Sequence, residues 1–494
     1  MTEYLFQLPK HGEGTLQSRI QEMIANHILD GYFDVSQPLP SSRTLARQLN
    51  VARNTVICAY QTLVDDGLLI TRERSGYYVN KNVLKGRVQI QPYQQVIRPG
   101  NVEWNRKLVS FPAELRQNAK PGDWYKYPYP FICGQYDHSL FPISNWRICA
   151  RHAASIQSIH QWSRDRIDQD NQELIEQVRQ KLLPRRGIWA ESDELLIVMG
   201  AQQGIFLTAQ LLLKPDKVVG FETPGYVDAE NVFSMFTPHA VRLEVDHQGM
   251  VINDKLSTCD CLYTTPSHHY PTTVTMSLER RFELLEKASQ HDIILIEDDY
   301  EWESNFIGEP MPALKSLDHD GRVIYIGSLS KTLAPGIRLG YLVGPSEFIR
   351  HARALRRLMV RHPPNNNQVI VAEFIKRGYH DALITRLRSV LRERWSLLGE
   401  MLESCFPGGI RRSAFGGSSF WIEGPSQLDA DELALTAKKH GILFEPGSVF
   451  FHRQDLPRHF FRMGFSSIPS ESIPDGVRRL SQLMDKWLNA QSSK

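Results

Sequence analysis

Six short apolar runs limit this 494-residue chain to one kind of core: ELLIVMG (194–200), KVVGFE (217–222), CLYTTPS (261–267), DIILIEDDY (292–300), VIYIGSLSK (323–331) and LGYLVGP (339–345). Each run is continuously apolar rather than alternating, so both faces of the strand it forms must be covered. Amphipathic helical patterns separate the runs. That alternation predicts a largely parallel α/β sheet with helices on both faces. A chain of 494 residues exceeds what one core usually organises, so a second, smaller domain is expected. With 41% hydrophobic and 23% charged residues, the composition excludes the disordered and fibrous classes. No uncharged apolar stretch approaches the ~20 residues that cross a bilayer, so a cytoplasmic protein with no membrane contact is expected. Cys58, Cys133, Cys149, Cys259, Cys261 and Cys405 lack paired metal-ligand spacing and read as reduced thiols, with no metal site.

The smaller domain occupies residues 12–82. Leu16, Ile20, Met23, Ile24 and His27–Ile28 mark one buried helical face. Ser41–Ser42, after Pro40, provide the cap of a short second helix ending at Leu49. Asn50-Val-Ala turns the chain into a third helix from Arg53, with Val56, Ala59, Tyr60 and Leu63 inward and Gly67 ending it. Leu68–Thr71 and Tyr77–Val79 enclose the polar tip Arg72-Glu-Arg-Ser-Gly76 as a two-stranded wing. Residues 1–82 balance eight basic against eight acidic residues, but five of the basic ones fall between Arg43 and Arg74. Arg53, Asn54 and Thr55 point outward where the third helix begins, chemistry suited to base edges and phosphates in a major groove. Arg72 and Arg74 on the wing suit an adjacent groove; a small helical protein-interaction domain is the alternative. Residues 83–126, Gln/Pro-rich with eight basic and three acidic residues, read as a basic linker to a large domain at 127–494.

Within the large domain, Gly327-Ser-Leu-Ser-Lys331-Thr-Leu-Ala-Pro-Gly-Ile-Arg338 carries the most legible chemistry. A lysine at a buried strand end can form an imine with an aldehyde, because desolvation and neighbouring cations lower its pKa and free the amine. Ser328, Ser330 and Arg338 would grip a phosphate on that aldehyde. One strand earlier, Asp298 and Tyr300 in Glu-Asp-Asp-Tyr end an apolar run at the carboxyl edge of the sheet, where such folds bind ligands. Taken alone, that acidic strand end reads as a helix cap or metal ligand; beside the lysine motif it reads as the group that holds a pyridine nitrogen protonated.

LPSSRTLARQLNVARNTVICAYQTLVDDGLL, with the wing, resembles the winged helix-turn-helix of the GntR family. The resemblance implies that Ser42, Arg43, Arg53, Asn54 and Thr55, with Arg72 and Arg74, contact operator DNA. The wing ends SGYYV where the family often has Gly-Thr-Phe. Residues 127–494 resemble the fold-type-I (class I/II) aminotransferases, and the pairing of both parts is similar to the MocR/GabR family of regulators. That implies pyridoxal 5′-phosphate as cofactor, with Lys331 as the Schiff-base lysine, Asp298 on the pyridine nitrogen and Tyr300 on the phenolic oxygen. Ala201 and Gln202 would add backbone donors to the phosphate, and Tyr226 would stack on the ring. Where catalytic aminotransferases carry Asn-Pro, this chain has Thr265-Pro-Ser-His268, so His268 is expected to face the phenolic oxygen; a satisfied strand-end imidazole is the alternative. Arg462 in Phe-Arg-Met-Gly-Phe would anchor an effector's carboxylate. GABA-sensing members carry an arginine two residues beyond the stacking tyrosine, where this chain has Asp228, which disfavours GABA.

The leading expectation is a pyridoxal-phosphate-dependent transcription regulator, not an enzyme, in which an amino compound displaces Lys331 by external aldimine formation and repositions the DNA readers. A homodimer with swapped DNA-binding domains is expected to read paired half-sites. YPYPFICGQYDHSLFP and RALRRLMVRHPPNNNQ resemble members concerned with ectoine-derived or taurine-type compounds. The Arg-rich stretch 350–361 reads either as an interface helix or as a DNA contact. An active aminotransferase with an accessory DNA-binding domain, and a DNA-binding protein with an inert aminotransferase shell, are the alternatives.

Overall fold

The computed structural model describes residues 8, 14–73, 75–85, 102–308, 311–411, 416–452 and 456–492. Arg74 of the wing and residues 86–101 of the expected linker lie outside these described residues. The chain divides into two compact units, Met1–Lys107 and Leu108–Lys494.

In the first unit, α1 (Leu16–Leu29), α2 (Ser42–Leu49) and α3 (Arg53–Asp65) precede the antiparallel pair β1 (Leu69–Arg72) and β2 (Gly76–Val79). The Ser41 hydroxyl accepts from the Thr44 amide at 3.1 Å to start α2, and Asn50 closes it in the left-handed region at φ 52°. Ile20, Ile24, Leu45, Val56, Tyr60, Leu63, Leu69 and Val79 form the core, and the Tyr60 hydroxyl donates to the Pro40 carbonyl at 2.8 Å, tying α3 to the entry of α2. Leu16 is 39% exposed, so the buried face of α1 begins one turn later than its spacing suggests. The wing strands reach Arg72 and Gly76 rather than stopping short of them, with the Arg72 guanidinium 4.1 Å from the centre of the Tyr78 ring.

All six apolar runs are strands of the second unit. The short β3 (Tyr129–Pro130) comes first, followed by β4 (Leu195–Val198), β5 (Val218–Thr223), β6 (His239–Asp246), β7 (Gly249–Met250), β8 (Cys261–Thr264), β9 (Ile294–Asp299), β10 (Val323–Ser328) and β11 (Gly340–Val343). Strands β4–β11 make one sheet in the order β4-β11-β10-β9-β8-β5-β6-β7. The pairs β10–β9, β9–β8, β8–β5 and β5–β6 are parallel, while β11 is antiparallel to both its neighbours. The end strand β7 is antiparallel to β6 as well, and the reversal of β11 against β10 has a local cause. Only residues 329–339 separate β10 from β11, too few for the helical crossover that a parallel neighbour needs. That same short connection carries Lys331 and Arg338.

A second sheet, β12 (Ile410–Arg411), β13 (Ser419–Glu423), β16 (Phe460–Gly464) and β15 (Glu445–Pro446) in that order, packs with helices Tyr379–Cys405 and Ala430–Lys439 around a separate core. The remaining strand, β14 (Ile442–Leu443), pairs with β3.

Two expectations need correction here. Residues 108–126 are not linker but part of the second unit: Arg116 Nη1 donates to the Val449 and Phe451 carbonyls at 3.1 and 2.6 Å, and Nη2 to Glu230 at 2.8 Å. A cation spent on distant carbonyls looks the same in sequence as a solvated one. In the Arg-rich helix Ser346–Val360, Arg353 and Arg356 turn inward to Asp170 at 3.1 and 2.6 Å, so these two do not present themselves to DNA. Among the described residues no helix is long and apolar enough to cross a membrane.

Candidate functional site

A cavity of about 260 Å³ opens where the strands of the large sheet end, lined by Ala201, Tyr226, Thr265, Asp298 and Ser328 beyond or at the carboxyl ends of β4, β5, β8, β9 and β10. One corner suits a phosphate. Helix Ala201–Leu212 starts from Gly200 with no side-chain cap, leaving its first amides without helical partners. Ser328, Ser330 and Arg338 line the same corner. Arg338 Nη2 donates to the Met199 carbonyl at 3.2 Å and lies against Gly200, where a Cβ would meet it at 3.1 Å.

The opposite wall suits an aromatic ring. Asp298 is buried, its Oδ2 accepts from the Tyr263 hydroxyl at 2.6 Å, and its Oδ1 has no hydrogen-bond partner. Burial pushes its carboxyl up to about 7, with the neighbouring Asp299 adding to the rise against the Tyr263 bond and the Lys331 charge. The Tyr300 hydroxyl is also buried without a partner. Tyr226 stands edge-on to Tyr270 with ring centres 5.0 Å apart, and its hydroxyl donates to Gln202 Oε1 at 3.2 Å.

Lys331 presents its side chain to the cavity while protein crowds it from behind, and this desolvation lowers its ammonium pKa; Lys120 and Arg462 lower it further, against Glu301. Its Nζ lies 5.7 Å from the centre of the Tyr300 ring. Gly134, at φ 74°, backs this nitrogen so closely that a Cβ would stand 2.9 Å from it. Arg462 is buried, donates from Nε to Ser419 Oγ at 2.9 Å and spreads its guanidinium 4.3 Å from the centre of the Tyr270 ring.

The structure thus gathers Lys331, Ala201, Gln202, Tyr226, Asp298, Tyr300, Ser328, Ser330, Arg338 and Arg462 around one cavity. It does not bring His268 there. That imidazole is buried off the cavity wall, where desolvation lowers its pKa against the charges of Glu301 and Asp299. The chain turns sharply after Thr265, whose hydroxyl accepts from the Tyr270 amide at 3.0 Å, and this delivers Tyr270 to the wall instead. Sequence reasoning also missed Asn118, Lys120 and Cys133 as lining residues. Nothing in their composition or spacing marks them.

In the first unit, Arg43, Arg53, Asn54 and Arg72 are exposed, while Ser42 and Thr55 are half-buried. Arg53 Nε donates to Ser42 Oγ at 3.3 Å, so the starts of α2 and α3 share one polar face. A recognition helix presents this part of itself to a major groove.

The donors around the cavity fit pyridoxal phosphate. Asp298 Oδ1 would accept the hydrogen bond of a pyridinium N–H, the Tyr300 hydroxyl would donate to the phenolic oxygen, and Lys331 would take the aldehyde. The helix start, two serines and Arg338 would hold the phosphate. Fold and site together define a pyridoxal-phosphate-binding, fold-type-I aminotransferase-like protein that carries a winged-helix DNA-binding unit.

The family model for gntR-family bacterial regulatory proteins matches residues 16–79, and that for class I and II aminotransferases matches residues 134–480. The HTH-type transcriptional regulator TauR of Rhodobacter capsulatus is 40% identical over 97% of this chain and 98% of its own length. The probable rhizopine catabolism regulatory protein MocR of Rhizobium meliloti is 27% identical over 96% of this chain and 94% of its own. Among solved structures, the kynurenine aminotransferase of Pyrococcus horikoshii superposes with TM-score 0.71 at 27% identity, covering 78% of this chain and 98% of that one. LysN, the α-aminoadipate aminotransferase of Thermus thermophilus, gives TM-score 0.71 at 25% identity over 79% of this chain and all of that one. The chain belongs to the MocR/GabR-type regulators, in which a GntR-type DNA-binding domain precedes a class I/II aminotransferase domain that binds pyridoxal phosphate.

Proposed function

We propose that this chain regulates transcription by binding operator DNA with an affinity set by an amino compound that takes the place of Lys331 on the cofactor. The observation that carries the reading is one lysine, its ammonium pKa lowered by desolvation, in the cavity beside Asp298, Tyr300 and Arg462, in a chain whose other unit is a winged helix. When bound, pyridoxal phosphate supplies an aldehyde open to amines and a ring that draws electrons once protonated. Asp298 keeps that proton in place, Tyr300 and Tyr226 orient the ring, and Arg462 receives the acid end of the effector. Asp228 lines the same cavity at the position where GABA-sensing members carry an arginine, which disfavours GABA; amino compounds of the ectoine-derived or taurine type fit the reading.

The protein works in the cytoplasm as a homodimer with swapped DNA-binding domains, one reader per half-site. Exposed Leu358, Met359 and Val360, with exposed Ile167 on a segment joined to theirs by the Arg361–Asp165 ion pair, support self-association. Ser42, Arg43, Arg53, Asn54, Thr55 and the wing arginines Arg72 and Arg74 supply the DNA contacts.

The test is a screen of primary amines against holoprotein, read by the cofactor's absorbance and by anisotropy of labelled DNA from upstream of the gene. An amine that shifts both supports the reading. Steady-state turnover with amino donors and 2-oxo acids near the usual ~10 per second would make the chain an aminotransferase instead.

A further inference from the structure

Lys120 reaches the effector cavity from the stretch of chain that follows the linker. Its Nζ pairs with Glu445 Oε1 at 2.8 Å and donates to the Cys133 carbonyl. An ammonium has three donors, so one N–H remains for the cavity that Lys120 lines. Glu445 is itself divided: Oε1 also accepts from the Cys133 amide at 3.0 Å, while Oε2 faces Arg462 Nη1 at 3.7 Å, beyond hydrogen-bond reach. Arg462 Nη1 and Glu445 Oε2 are both buried without a hydrogen-bond partner. Two cations therefore share one carboxylate, and each keeps an open donor. The excess charge also lies close to the reacting lysine. The nitrogens of Lys120 and Lys331 stand 3.6 and 2.9 Å from the position of a single Cβ on Gly134.

We propose that Lys120 is a second anion-binding group beside Arg462, and that it restricts the effector to amines carrying an acid group, carboxylate or sulfonate. This rests on the reading of the cavity as an effector site. The acid oxygens bridge Arg462 Nη1 and the third N–H of Lys120, with Glu445 holding both cations in place and limiting their repulsion. A plain amine exchanges with Lys331 but leaves both donors open. Because Arg116, four residues before Lys120, is fixed to Val449, Phe451 and Glu230, the acid meets Lys120 on an anchored segment rather than on a loose tail.

The test uses three primary amines of matched length, 3-aminopropanoate, 2-aminoethanesulfonate and propylamine, titrated into holoprotein and followed by the cofactor's absorbance. The acid-bearing probes are expected to bind at least tenfold tighter than propylamine, and Lys120→Met to shrink that ratio about tenfold, the worth of one charge-assisted hydrogen bond. Lys120→Arg restores most of the ratio. The two acid probes separate carboxylate from sulfonate preference. Equal affinities for all three probes in the unsubstituted protein, a ratio untouched by Lys120→Met, or a Lys120→Met loss that falls equally on propylamine would each overturn the proposal. An unaltered cofactor band in the variants reports an intact site. A Lys331-dependent DNA response that survives such a failure leaves the regulator reading standing and removes only the role of Lys120.

Discussion

Replacing Asp298 by Asn tests the electrostatics at the centre of the cavity. Burial lifts this carboxyl from an ordinary 3.8 to about 7 in the cofactor-free protein. An acid whose folded pKa lies above its unfolded value binds protons preferentially when folded. Its penalty is absent below the unfolded pKa, grows as pH rises towards 7 and stays in full above that. Three units at about 1.4 kcal/mol each set a ceiling of about 4 kcal/mol at pH 8, falling to less than half of that by pH 5. Asn keeps an oxygen to accept from Tyr263, whose bond to Asp298 is 2.6 Å long, and carries no charge. Cofactor-free Asp298→Asn is therefore more stable than the unsubstituted protein at pH 8, with a smaller gain at pH 5, measured by urea denaturation at both. The same variant binds pyridoxal phosphate more weakly, because the pyridinium loses its counter-ion. A stability change independent of pH, or a loss at pH 8, would refute the argument.

Arg53→Ala is expected to weaken DNA binding and to reduce the salt slope of log K by about one, the signature of a lost phosphate contact, read by anisotropy from 50 to 200 mM salt. Gly134→Ala places a methyl 2.9 Å from Lys331 Nζ at a φ of 74°, so covalent cofactor loading, followed by absorbance, should drop severely. Arg338→Ala removes the forked donor from the phosphate corner and should weaken pyridoxal phosphate binding by tenfold or more in equilibrium dialysis. Asp170→Ala leaves the buried Arg356 without its carboxylate at 2.6 Å and should destabilise the second unit by about 3–5 kcal/mol in denaturant.

The winged helix was legible almost residue by residue, because its signals are local: a serine cap at Ser41, a left-handed turn at Asn50, and apolar spacing along α3. The sheet was legible as well, since fully buried strands such as β8 and β10 announce themselves as continuous apolar runs. The antiparallel β11 was not singled out, although the short 329–339 connection forbids a helical crossover and held the clue. The two-residue strands β12 and β15 are too brief to leave a period. At the site, residues in contiguous motifs were found and residues brought in by tertiary folding were not. Lys120 meets Glu445 across more than three hundred positions, and its Pro-flanked surroundings look like linker. His268 and Tyr270 differ by two positions, and only the turn stabilised by the Thr265 hydroxyl decides which of them reaches the cavity.

The coupling of the cofactor lysine to DNA is the central claim, and Lys331→Ala tests it most directly. DNA affinity of this variant and of the unsubstituted protein is measured with saturating pyridoxal phosphate, with and without an amine that shifts the cofactor's absorbance. The account predicts that both proteins bind DNA and that only the unsubstituted one changes affinity when the amine is added. An equal amine response in Lys331→Ala would contradict it.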